Sequence, residues 1–147
     1  MKLNCKGDAY TKIILEVFKL GGLLVLEGDR ITRPLGLSSA RWKILGALQR
    51  AGQALSAAQI ARAMGQSRQG VQRLVNELHQ EELLEFADNP NHKRAKLISL
   101  SGKGLAVFSE LEILQARWAN KQSNDIDNAA LETTLATLKE MSGGLEA

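Results

Sequence analysis

The residues with the most chemistry to offer are Arg68, Gln69, Gln72, Arg73 and Asn76, gathered within nine positions with no acid before Glu77. An arginine fork matches the O6 and N7 acceptors of guanine. A carboxamide matches the donor and acceptor of adenine, and both side chains bond phosphate oxygens. These residue types suit the edges and backbone of a nucleic acid. They do not suit covalent catalysis, because no nucleophile elbow or glycine-rich phosphate loop accompanies them. Cys5 is alone, and His79 and His92 lie far from it in sequence, so no metal-ligand spacing is present either. Neither histidine has an identifiable partner for general base work. An enzyme is therefore not expected, nor is any cofactor.

The five polar residues need a helix to present them, and residues 55–80 (LSAAQIARAMGQSRQGVQRLVNELHQ) supply two. Ser56 suits an N-cap, and Gln59 three residues on can close a capping box. Ile60 and Met64 share a helix face, with the small Ala61 beside them allowing close approach of a second helix. Gly65 stands where a positive φ would end the first helix. Ser67 can cap the second, whose Val71, Leu74, Val75 and Leu78 form an inward stripe. A helix-turn-helix offers the early residues of its second helix to the major groove.

Downstream, Leu83, Leu84 and Phe86 fit a short strand, and residues 95–100 (AKLISL), where apolar Leu97 alternates loosely with polar neighbours, fit a second. Between them DNPNHKR forms a turn-rich tip ending in Lys93 and Arg94. Two strands with a basic tip directly after a reading helix describe a wing, placed to meet phosphates or the minor groove. His92 shares that tip, and protonation would make it a third cation there.

The remaining segments are helical. Asp8 can cap a first helix running to about residue 27, with Ile13, Val17, Leu20 and Leu24 at spacings of four, three and four. Ile14, Phe18 and Val25 widen its apolar face beyond the needs of one neighbour, so part of it is expected to meet another subunit. The pair Gly21 and Gly22 marks a kink or a close crossing. Residues 32–37 read as a loop. Ser38 or Ser39 caps the next helix, with Trp42, Leu45 and Leu48 inward, and residues 53–55 form a short strand. Ser101 caps a long helix to about residue 122, with a seam of Val107, Leu111, Leu114 and Trp118. Asn124 or Asp127 starts the last helix, whose Leu131, Leu135 and Leu138 face inward.

Composition sets the outer bounds. With 147 residues, 44% hydrophobic and 24% charged, the chain is of ordinary globular type. Its net charge of +3 is too small for bulk basicity to argue for a polyanion. The argument rests on local clustering of Arg62, Arg68, Arg73, Lys93, Arg94, Lys96 and Lys103. The apolar run 23–26 is far too short to span a membrane, and residues 1–7 lack a signal-type core, so a reduced, cytoplasmic protein is expected.

The order helix, helix, helix-turn-helix, wing, two terminal helices resembles the MarR family, the multiple-antibiotic-resistance type of bacterial transcriptional regulators. The resemblance is carried by LSSARWKILGAL at 37–48, LSAAQIARAMGQSRQGVQRLVNELHQEELLEF at 55–86, and DNPNHKRAKLISLSGKG at 88–104. In the wing, Lys93, Arg94, Leu97, Leu100, Ser101 and Gly104 fit the family pattern, whereas His92 stands where an acidic residue is common. The resemblance implies a mostly α fold with a small β wing, that is, a winged helix-turn-helix with dimerisation helices at both ends. One chain of 1–147 would then divide into a DNA-binding part at 37–100 and helical dimerisation parts at 8–30 and 102–147. It implies a homodimer that regulates transcription, as a repressor, from a pseudo-palindromic site on double-stranded DNA. The DNA contacts would come from Ser67, Arg68, Gln69, Gln72, Arg73, Asn76, His92, Lys93 and Arg94. Release by a small aromatic or phenolic ligand, or by thiol oxidation, is also implied. Arg33 and Trp42 are the candidate ligand-lining residues, and Cys5 is the one thiol. The competing reading is a winged-helix protein-interaction module, which would place apolar or acidic residues where Arg68, Gln69, Gln72 and Arg73 stand.

Overall fold

The computed structural model describes residues 1–146. Six helices and one hairpin follow in the order α1 (Cys5–Thr32), α2 (Ser39–Ala51), α3 (Ala57–Met64), α4 (Arg68–Gln80), β1 (Leu84–Ala87), β2 (Leu97–Leu100), α5 (Gly102–Ser123) and α6 (Asn128–Gly143). A single 3-10 turn, Arg33–Leu35, links α1 to α2. The chain forms two compact units, Met1–Leu111 and Glu112–Ala147, so the division falls inside α5 and α1 belongs with the winged part.

The core of the first unit lies between α2, α3, α4 and the hairpin. Ile44, Leu45, Ile60, Val71, Val75, Leu78 and Ile98 are its most deeply buried members, joined by Phe108 and Leu111 from the start of α5. Three serines start the helices as their sequence positions suggest. Ser38 accepts from the Arg41 amide, Ser56 closes a full capping box with Gln59, and Ser67 accepts from the Gly70 amide at 3.1 Å. Each cap stabilises its helix by about 1 kcal/mol. Gly65 ends α3 at φ 63°, a backbone conformation that costs an L side chain about 1–2 kcal/mol. It sets the angle between the two helices of the motif.

β1 and β2 pair antiparallel, Leu84 opposite Leu100 and Phe86 opposite Ile98. The expected strand at 53–55 is reduced to one bridge. The Leu55 amide donates to the Ile98 carbonyl at 3.0 Å, and the Ile98 amide donates back at 2.7 Å. β2 is also shorter than expected. Ile98 is buried and Leu97 half-buried, because that bridge and the pairing with Phe86 turn the Ile98 side chain to the core.

The terminal helices depart from expectation in instructive ways. α1 is capped by Asn4, which accepts from the Gly7 amide at 2.7 Å, rather than by Asp8, which pairs with Lys12 instead. It runs on to Thr32, five residues past the expected end, and absorbs the start of the expected loop. Gly21 and Gly22 lie within the continuous helix, and nothing in the described residues approaches within 4 Å of the Cβ positions, so they mark no close crossing within this chain. Gly28 does so instead. A Cβ there would lie 2.8 Å from the Ser39 hydroxyl oxygen, so α1 and α2 touch where glycine permits it. In α6, Asp127 is the cap, accepting from the Ala130 amide. Leu131 and Leu135 are exposed rather than inward and Leu138 is half-buried, because α6 buries none of its residues within this chain. In α5 the expected seam is half right: Leu111 is buried and Val107, Leu114 and Trp118 are half-buried, while Phe108 was not anticipated.

Candidate nucleic-acid interface

Successive helix residues turn by about 100°, so the apolar stripe of α4 determines where its polar residues point. Val71, Val75 and Leu78 are fully buried and Leu74 half-buried. Opposite them stand Gln69, Arg73 and Asn76, and on the flank towards the hairpin stand Arg68 and Gln72. All five are exposed, as is the cap Ser67. The Gln72 amide donates to the Asn76 carbonyl oxygen at 2.9 Å, which orients two of the carboxamides relative to each other.

Arg68, Gln72 and Asn76 recur every four residues and line one wall of a cleft of about 340 Å³. The facing wall is the hairpin, through Phe86, Arg94, Ala95, Lys96 and Ile98, and the floor is the first turn of α3 at Ala57 and Ala58. The fold thus brings Arg94, twenty-six residues past Arg68, to the same cleft. Gln69 and Arg73 do not line the cleft. They form a separate outward set, so the expected DNA-contacting residues divide into an outward face and a cleft-facing flank. His92 and Lys93 are exposed on the hairpin tip, away from that wall.

The hairpin tip is short and locally bonded. Asn89 accepts from the Asn91 amide through its side chain and from the His92 amide through its carbonyl. Below it Lys96 donates to Asp88 at 2.6 Å, closing the base of the tip. That bond, with the charge of Lys96, holds the Asp88 carboxyl below the ordinary carboxylate range. The tip is therefore braced by an ion pair even though His92 replaces the acid common at its position. Lys96, a member of the basic cluster, is a site residue that sequence reasoning missed. The available signal was the distance from Asp88, eight residues across a hairpin tip.

On the other side of α4, Arg41 of α2 donates through Nη1 to both carboxylate oxygens of Glu81, each at 2.7 Å. Its Nη2 donates to Glu77 at 3.3 Å. The Glu81 bond dominates in holding the guanidinium pKa above its ordinary value, against partial burial. Towards the hairpin, His79 stacks on Phe86 with ring centroids 3.9 Å apart and planes 7° from parallel. Of the candidate ligand residues, Arg33 is exposed on the 3-10 turn and Trp42 is half-buried against the core; neither lines the cleft. Among the described residues no group of His, Cys, Asp and Glu is arranged to hold a metal ion, and no helix is long and apolar enough to cross a membrane.

The sequence profile of the MarR family matches residues 35–95, the stretch that holds α2, the helix-turn-helix and most of the wing. The chain is 33% identical over 141 residues to the uncharacterized protein Rv2011c of Mycobacterium tuberculosis, covering 96% of this chain and 97% of that one. The chain belongs to the MarR family. The fold agrees with solved MarR-type structures. CouR of Rhodococcus jostii RHA1, bound to p-coumaroyl-CoA, superposes with a TM-score of 0.78 at 18% identity, covering 88% of this chain and 91% of that chain. MepR of Staphylococcus aureus in complex with DNA superposes with a TM-score of 0.76 at 18% identity, covering 93% and 98%. As a MarR-family member the chain is a winged-helix, DNA-binding transcriptional regulator and not an enzyme.

Proposed function

We propose that two copies of the chain bind a pseudo-palindromic duplex, one reading helix entering the major groove of each half-site, and repress transcription by occupying it. The observation that carries this reading is the exposed face of α4. Arg68, Gln69, Gln72, Arg73 and Asn76 stand free of the core, and Arg94 and Lys96 come up beside their cleft-facing flank. Gln69 and Arg73 would read base edges, while Arg68, Arg94, Lys96 and the tip residues His92 and Lys93 would bond the backbone or the minor groove. The complex of MepR with DNA supports the same use of this fold. A docking module would not need such a face.

The dimer is supported by what the chain leaves uncovered. Leu15, Phe18, Leu23 and Leu26 of α1 are exposed, Phe18 by 72%, as are Leu131 and Leu135 of α6. Exposed apolar side chains in such number on each of these helices are what a subunit interface would cover. Modulation by a small aromatic or phenolic ligand is proposed by analogy with CouR, whose structure holds p-coumaroyl-CoA, with Arg33 and Trp42 as candidate contacts. Gel-shift titration against the DNA upstream of the chain's own reading frame, at moderate salt with scrambled competitor, tests the function. Retention of the upstream duplex over the competitor is expected. Equal competition by scrambled DNA would remove sequence-specific regulation from the account.

A further inference from the structure

A helix that reads bases must be held at one rotation about its own axis, since a turn of a few tens of degrees moves every side chain off its base edge. The capping serine and the close-packed apolar stripe locate α4. Two directional contacts add a second constraint on its rotation. Glu77 and His79 are two residues apart, about 200° around the helix, and so leave it on opposite flanks. His79 is stacked on Phe86 of the hairpin. Glu77, together with Glu81 in the turn that follows, is held by Arg41 from α2.

The Arg41 contact is the stronger of the two in directionality. A guanidinium is a rigid planar fork, and here it engages one carboxylate through both oxygens and a second one a turn away. The Arg41 side chain is 21% exposed and its partners 43% and 46%. Ion pairs at such exposure contribute little to global stability, so its worth is geometric. The end of α2 that carries Arg41 is itself fixed. The Ser39 amide donates to Asp29 at 2.8 Å, and Gly28 of α1 lies against Ser39. Beyond Glu81 the same turn is held from α5: Ser101 donates its hydroxyl to the Glu82 carbonyl at 2.6 Å and Lys103 its ammonium to the Glu81 carbonyl at 3.1 Å.

We propose that Arg41 is a positioning residue for sequence reading: by clamping Glu77 and Glu81 it fixes the rotation of α4, and it makes no DNA contact of its own. This rests on the DNA-reading function proposed above. Charge alone and positioning make opposite forecasts. Neutralising Glu81 removes a negative charge near a polyanion, so by charge alone every duplex should bind more tightly. By positioning, the preferred duplex should lose its advantage.

The test uses the full-length protein and two duplexes, one enriched by the wild type from a random library and its scrambled counterpart. Affinities are compared for wild type, Arg41→Met, Arg41→Lys and Glu81→Gln, with thermal midpoints and circular dichroism recorded alongside. The expected result is a tenfold or greater fall in the ratio of the two affinities for Arg41→Met. Glu81→Gln should show a similar fall despite its favourable charge change, and Arg41→Lys, which keeps the charge but not the fork, a smaller one. Glu81 is a surface carboxylate, so that variant remains folded and the comparison decisive. A ratio unchanged within twofold in Glu81→Gln, with both duplexes bound more tightly, overturns the positioning role and leaves the function standing. A wild type that enriches no duplex overturns both.

Discussion

Gly104 is the residue whose replacement by alanine the structure forecasts most sharply. It lies in the first turn of α5, buried, and its amide donates to the Ser101 hydroxyl at 3.0 Å. A Cβ at this position would overlap the Leu83 carbonyl oxygen, with the carbonyl carbon 3.1 Å away and a Leu100 methyl at 3.5 Å. The obstacle is backbone, so no rotamer change relieves it. Either α5 lifts or the residue entering β1 moves, and the bond from the Ser101 amide to that same Leu83 carbonyl, 3.0 Å long, is the first casualty. Overpacking costs about 1–3 kcal/mol. Loss of a buried backbone bond adds about 1 kcal/mol. The better helix propensity of alanine returns up to about 1 kcal/mol, leaving a net loss of about 1–3 kcal/mol. At about 2–4 °C per kcal/mol for a chain of this size, that lowers the thermal midpoint by roughly 2–12 °C. Urea unfolding of wild type and Gly104→Ala at one protein concentration measures it, since any self-association makes apparent stability concentration-dependent. Gly21→Ala is the internal control: its Cβ meets nothing within 4 Å in a helix interior, so it should stabilise by about 1 kcal/mol. A Gly104→Ala protein within about 0.5 kcal/mol of wild type, outside the overpacking range, would show that the α5–wing junction is not the tight contact described.

Three further outcomes follow from the site and the uncovered helices. Arg73→Ala and Gln69→Ala should each cost about 1–3 kcal/mol of operator affinity and relax base preference, whereas Arg94→Ala should weaken all sequences evenly and shallow the salt slope by about one per contact; the reverse pattern in a salt-dependent binding series would exchange their roles. Sedimentation at low micromolar concentration should return about twice the 16.0 kDa chain mass, and a monomer that still binds the operator tightly would remove the dimer. Asp88 is held below the ordinary carboxylate range by Lys96, so the wing brace is present above the ordinary value and is lost only as pH falls through the lowered one. A carboxyl-resolved NMR titration should place Asp88 below other exposed aspartates and move it up in Lys96→Ala; coincident midpoints in the two proteins would refute the brace.

Much of the reading motif was legible without coordinates because its determinants are local. The Ser56 and Gln59 capping box, the Gly65 stop, the Ser67 cap and the stripe of Val71, Leu74, Val75 and Leu78 are each set by residues within a turn or two, and all recur in the structure. The polar residues on the exposed face of α4 follow from that stripe by helical geometry. Local rules also misled where two answers were locally equal. Asn4 and Asp8 are both competent caps; Asn4 takes the role by accepting from the Gly7 amide, and Asp8 pairs with Lys12. β2 could present Leu97 or Ile98 to the core, and a register shift of one residue exchanges them. The bridge to Leu55, forty-three residues away in sequence, decides for Ile98. The convergence of Arg94 and Lys96 on the cleft that Arg68 lines, the Arg41 clamp and the stack of His79 on Phe86 were not legible at all. Each joins elements through side chains that have many sequence-allowed partners, and only the packing of the apolar stripes selects among them. In α4 helical geometry alone fixes which residues face away from the core, because its stripe is local; which of those faces meet a neighbour depends on how the elements pack.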